Sequence, residues 1–174
     1  ELFILGRIIW QWRASVDEAR RHIHLPAYRF LAAADVWVFL TLLLAIGMSV
    51  PAINVYTHGT HITVAHTMGA TIGINTFLLL AMMTEILFPK GDQGFQVSRW
   101  FQRGFWLANI ALPVFWVSLI TAGVIRAAWQ MSEKKVPFST MMIQLRPVFI
   151  VFVIAGVIIM VGMWIIVFQL LRSA

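Results

Sequence analysis

Four long apolar stretches, separated by short clusters that carry most of the charge, set the plan of this chain. Leu2 to Trp12 reads as the tail of a helix, closed by Trp10, Trp12 and Arg13 at a membrane interface. Arg13 to Arg29 is a polar loop with Asp17, Glu18, Arg20, Arg21 and His22. Phe30 to Val50, at about 21 residues, is long enough to cross a hydrocarbon core of roughly 30 Å. Pro51 ends it, and Ala52 to Thr60 forms an uncharged connection with asparagine and glycine turn signals. A second span, His61 to Phe88, is slightly long for an upright crossing and predicts a tilt. Pro89-Lys90-Gly91-Asp92 breaks it, and a polar stretch with Arg99 and Arg103 follows. The third span runs from Gly104 to Val124, with Pro113 placed to kink it. After a polar connection from Arg126 to Arg146, Pro147 opens a fourth span that closes near Leu171. The expected fold is all-α, a polytopic transmembrane helix bundle in a single domain over 1–174, with helices at about 1–12, 30–50, 61–88, 104–124 and 147–171.

Composition sharpens this picture. With 60% hydrophobic and 11% charged residues, against about 25% charged in soluble domains, the chain is an integral membrane protein. It opens on Glu1-Leu2-Phe3 without a signal-peptide pattern, which predicts a later part of a longer chain. The absence of cysteine excludes disulfides, thiolate haem ligation and cysteine-bound iron–sulfur clusters within these residues. A net charge of +6 points to basic cytoplasmic loops rather than to nucleic acid in so apolar a chain. Connections alternate sides, so the basic residues divide into nine on one side and four (Arg126, Lys134, Lys135 and Arg146) on the other. The richer side is cytoplasmic by the positive-inside rule, which places the C-terminus inside and the 52–60 loop outside.

The chemistry gathers between Tyr56 and Asn75, where three of the five histidines, His58, His61 and His66, fall within nine residues at the mouth of the second span. An ionisable side chain carried into a membrane usually has a function. On a helix, His66 and Met68 are about 200° apart around the axis and about 3 Å along it, so they face opposite ways at nearly one depth. One helix can thus offer two iron-compatible ligands to cofactors on either side. Gly69, Ala70 and Gly73 leave flat space on the face of His66, which suits either a macrocycle or the close approach of a neighbouring helix. From the residues alone, His66 is either a haem ligand or a histidine bonded to a neighbouring helix. Asp35 and Glu85 lie near the cytoplasmic side, where they either begin a proton route or pair with loop arginines.

The segment Asn54-Val55-Tyr56-Thr57-His58-Gly59-Thr60, followed by Thr63-Val64-Ala65-His66, resembles the start of the tenth transmembrane helix in the large catalytic subunit of bacterial nitric oxide reductases, of the haem–copper oxidase superfamily. The order of a helix tail, a basic loop and a span ending in proline resembles it too, so the chain would supply the last four helices and the tail of the eighth. The resemblance implies a twelve-helix fold in the bacterial inner membrane, holding a low-spin haem b, a high-spin haem b and a non-haem iron supplied by helices outside this chain. It implies reduction of two NO to N2O and water, with a cytochrome c subunit or quinol as electron donor and the remaining helices of the subunit as partners. His66 would be the axial ligand of the high-spin haem, His58 would meet a haem propionate, and Glu1 would line the catalytic pocket. His61 falls where the family varies, on the face of Met68, and is the weakest of the cofactor-binding candidates.

Met68 departs from the family pattern, which carries a second histidine two residues after the first. A thioether can replace imidazole at a low-spin haem and raises its potential, while the plainer alternative is a methionine that only packs. Two other readings stand beside nitric oxide reduction. One is an oxygen-reducing or NO-dismutating member of the same superfamily; the other is a non-catalytic membrane subunit. Nothing in the chain points to a phosphate loop, nucleophilic catalysis or nucleic-acid binding.

Overall fold

The computed structural model describes residues 26–87, 98–132 and 136–173, together with Arg7, Trp10, Gln11 and Ala14. The described residues are helical almost throughout and contain no strand. Helix α1, Pro26–Ser49, opens on a proline, whose missing N–H costs nothing in a first turn. Its buried stripe is Phe30, Ala34, Trp37 and Thr41, spaced three and four apart as one helical face requires. A short α2, Pro51–Thr57, occupies what the sequence predicts as a loop, again with proline in its first turn.

The next span is α3, His61–Met68, a π-helical segment, Gly69–Thr76, and α4, Phe77–Leu87, in one continuous rod. Helix α5, Arg99–Met131, starts at Ser98, whose Oγ accepts the Phe101 N–H at 3.1 Å, and runs on through Pro113. Helix α6 is Phe138–Ser173. All four rods are long and apolar enough to cross a membrane.

Four boundaries differ from the sequence reading: α1 begins at Pro26 rather than Phe30, α5 begins at Arg99 rather than Gly104, and the two largest differences lie where α5 gives way to α6. Helix α5 extends past residue 124 to Met131, and α6 begins at Phe138, so Pro147 lies inside α6 rather than opening it. The reason is packing. Met141 and Leu145, one turn apart on α6, are buried with Ala122 of α5 and are flanked by Ile125 and Trp129, which gives both extensions an apolar face. Trp129 Nε1 also donates to the Val136 carbonyl at 2.8 Å, fastening the end of α5 to the approach to α6. In a bilayer the carbonyl freed by a mid-helix proline is tolerated where neighbours compensate.

The principal core is held by aromatic rings and small residues. Phe30 meets Phe77, Phe101 and Phe105 at centroid distances of 6.2, 5.8 and 5.3 Å, joining α1, α4 and α5. Helices α5 and α6 make the most extensive contact and close to backbone distance at Gly104 and Gly162. A Cβ on either glycine would stand 2.9 Å from the carbonyl oxygen of the other. Replacing Gly162 by Leu should therefore wedge the two helices apart and cost roughly 1–3 kcal/mol, read as lower resistance to SDS unfolding. Gly47→Ala, where nothing lies within 4 Å of the new methyl, is the control and should not lower it.

Candidate functional site

The candidate site is built where α2 turns into α3. Gly59 adopts φ +69°, a left-handed conformation that suits glycine, and so reverses the chain. Thr60 then caps α3: its Oγ1 accepts the Ile62 N–H at 3.3 Å and donates to the Thr57 carbonyl at 2.7 Å. Thr63 Oγ1 donates to the same carbonyl at 3.3 Å. Three threonines thereby fix the first turn of α3 to the last turn of α2. His58, on the turn itself, is exposed.

Burial along α3 follows a helical pattern. Ile62, Ala65, Gly69 and Gly73 are buried, Thr63, Val64, Thr67 and Thr71 are exposed, and His66 and Met68 are intermediate. At about 100° per residue, His66 borders the buried stripe on one side and Met68 on the other. The opposed placement expected of the two side chains is thus compatible with the α-helical geometry of His61–Met68. Met68 packs against the principal apolar core. His66 has a buried Nδ1 with no hydrogen-bond partner, and so does His61. The His61 ring meets Phe149 of α6 edge to face at 5.3 Å.

The space beside Gly69 and Gly73 is filled by the chain itself. A Cβ at Gly73 would run into Trp37, and one at Gly69 into Thr41 of α1, with Trp116 Nε1 of α5 also 3.2 Å away. The clearance expected on the His66 face is therefore a helix contact at these two glycines. Trp37 and Trp116 meet edge to face at 5.7 Å in that recess. The glycine spacing signals a close neighbour, but only the fold shows that two indoles and a threonine supply it.

Asp35 is half-buried in α1 and Glu85 is exposed near the end of α4. Glu1 lies outside the described residues. Among the described residues no three histidines or carboxylates converge as a metal site.

A comparison with protein families finds that the model for cytochrome c and quinol oxidase polypeptide I matches residues 5–168. The chain belongs to this family. It is thus a multi-pass membrane protein of the haem–copper oxidase type, an oxidoreductase class whose members bind haem. No curated protein matches the chain.

The residues present can be tested against that cofactor. An intermediate imidazole with an unpartnered buried nitrogen fits a haem-oxidase role on its donor chemistry. The recess at Gly69 and Gly73 does not fit a macrocycle, because Trp37, Thr41 and Trp116 occupy it.

Replacing Thr60 by Ala removes the cap and the tie to Thr57 together. It should lower stability by about 1 kcal/mol, measured by thermal unfolding in detergent, with Thr60→Asn restoring part of the loss.

Proposed function

We propose that the chain belongs to a haem-containing nitric oxide reductase, in which His66 is the axial ligand of a high-spin haem b. The observation that carries the ligand role is the His66 imidazole: half-buried at the edge of a packed helix, with Nδ1 buried and unpartnered among the described residues. A buried polar atom without a partner costs about 1–3 kcal/mol. A histidine bonded to a neighbouring helix through Nδ1 would have that partner. The choice of nitric oxide as substrate rests on the likeness of Tyr56 to His66 to the nitric oxide reductase segment.

The remaining roles are assigned from the resemblance. Met68 is the proposed axial ligand of a low-spin haem b on the opposite flank, His58, on the exposed turn, would meet a propionate, and His61 lies at the same end of the helix. A non-haem iron comes from helices outside this chain, and Glu1 is assigned to the catalytic pocket. With these groups bound, two NO, two electrons and two protons give N2O and water. The part played by this chain is mechanical and electrostatic. Packing of Ile62 and Ala65 fixes the rotation of α3 and hence the direction of His66, and the Thr57–Thr60 contacts fix its height. Electrons arrive from a cytochrome c or quinol, and the protein lies in the bacterial inner membrane with the 52–60 loop periplasmic.

Oxygen reduction is the second reading, favoured by the description of the matching family. Anaerobic NO consumption with N2O formation, measured beside oxygen uptake on one purified preparation, separates the two. Turnover of oxygen alone would end the nitric oxide assignment.

His66→Ala should remove one haem b contribution from the reduced-minus-oxidised spectrum and bring turnover to background. Retention of both haems would show that His66 is not a ligand. Met68→His should keep the low-spin band and lower its midpoint potential, since thioether ligation raises potential; an unchanged potential in a redox titration would mean that Met68 only packs.

A further inference from the structure

We propose that the groove between α5 and α6 binds one anionic phospholipid, with its phosphate at Arg99 and Arg103 and an acyl chain lying along the groove. This site is separate from the α3 histidines and goes beyond the reaction proposed above. The groove encloses about 920 Å³. Its two ends differ in chemistry. Arg99, Gln102 and Arg103 form the head, while Leu107, Ile110 and Val114 of α5 and Ile154 and Ile158 of α6 line the body.

The helical repeat creates this arrangement. Residues 99, 103, 106, 110 and 114 recur at three- and four-residue intervals, so the arginines stand directly in line with the apolar wall. From Arg103 to Val114 the groove runs about 17 Å along the axis, which is about half of a hydrocarbon core roughly 30 Å thick. It therefore matches the reach of a lipid in one leaflet. Arg103 lies 4.9 Å from the centre of the Trp100 ring, a cation–π contact that holds the guanidinium at the head. Trp100 and Trp106 are exposed there, as tryptophans at a membrane interface commonly are.

Charge decides the occupant. Among the described residues neither Arg99 nor Arg103 has a carboxylate partner, and the groove below them is apolar. A free anion would satisfy the arginines and leave the apolar wall uncovered. A neutral apolar molecule would do the reverse. An anionic phospholipid does both, pairing its phosphate with two guanidinium groups while its chain covers isoleucine and valine.

The test uses the whole purified enzyme in phosphatidylcholine nanodiscs carrying trace spin-labelled phosphatidylglycerol or spin-labelled phosphatidylcholine. The motionally restricted fraction should favour phosphatidylglycerol by about fivefold, and Arg99→Gln with Arg103→Gln should reduce it to the phosphatidylcholine level. Ile110→Trp, at an exposed position that narrows the groove and leaves the arginines intact, should reduce restriction of both labels. An unchanged haem spectrum in each variant establishes that the enzyme is folded. A preference that survives the double arginine change overturns the proposal. So does restriction unaffected by Ile110→Trp, which would place the chain outside the groove. Displacement by millimolar inorganic phosphate would show a free-anion site, and displacement by a short-chain quinone would show a quinone site; either result also overturns it.

Discussion

The rotation of the histidine-bearing helix about its own axis is the constraint on which the rest of this structure depends. It is set by glycine. Gly73 faces Trp37 and Gly69 faces Thr41 with no room for a methyl group, and Gly123 of α5 faces Ile62. The Cβ of any larger residue at 123 would stand 2.7 Å from the Ile62 backbone nitrogen. These contacts clamp one face of α3 between α1 and α5. His66 and Met68, one residue to either side of that face, are then left at its margins rather than inside it. Turning the rod about its axis would bury one of them and expose the other.

The π segment belongs to the same clamp. Gly69-Ala70-Thr71-Ile72-Gly73-Ile74-Asn75-Thr76 is rich in glycine and β-branched residues, which are poor α-helix formers. Its wider turn is visible in the side chains: Thr67 and Thr71 donate to the carbonyl four residues back, at 3.1 and 2.7 Å, whereas Thr76 donates five residues back to Thr71 at 2.9 Å. Such segments interrupt α-helices frequently at functional sites. Here the π segment starts one residue after Met68 and ends where Phe77 enters the aromatic core around Phe30. It therefore lies between the half of the rod that carries the histidines and the half that anchors in the core.

The order of the four spans was legible from apolar length alone, because a bilayer-crossing helix needs little else to announce itself. Its ends were not. Pro147 reads as a helix start because proline is favoured there, yet Met141 and Leu145 have an apolar partner in Ala122 that local sequence cannot reveal. The small helix Pro51–Thr57 was hidden by the same turn residues that mark a loop. At the site, His66 stood out as an ionisable residue at the mouth of a span, and its relation to Met68 followed from helical geometry. The neighbours did not follow. Gly69 and Gly73 announce that something comes close, but Trp37 and Trp116 come from other helices at long sequence separation, and no spacing rule names them.

The unsatisfied polar atoms single out α3 without reference to any family. Serine and threonine hydroxyls through the spans bond back to carbonyls of their own helix: Thr41 to Trp37 at 2.6 Å, Thr84 to Leu80 at 2.6 Å, Ser118 to Phe115 at 2.6 Å. Their polarity is already satisfied, so a threonine stripe on an exposed face says nothing about function. Three buried side-chain atoms among the described residues have no partner: His61 Nδ1, His66 Nδ1 and Trp116 Nε1. Two belong to α3 and the third points at Gly69, where the rod passes into its π segment. Native structures pair nearly all such atoms, so each exception calls for a physical reason. That all three gather around one helix, and none lies on the longer and more apolar α6, places the unmet hydrogen-bonding capacity of the described residues beside the candidate iron ligands.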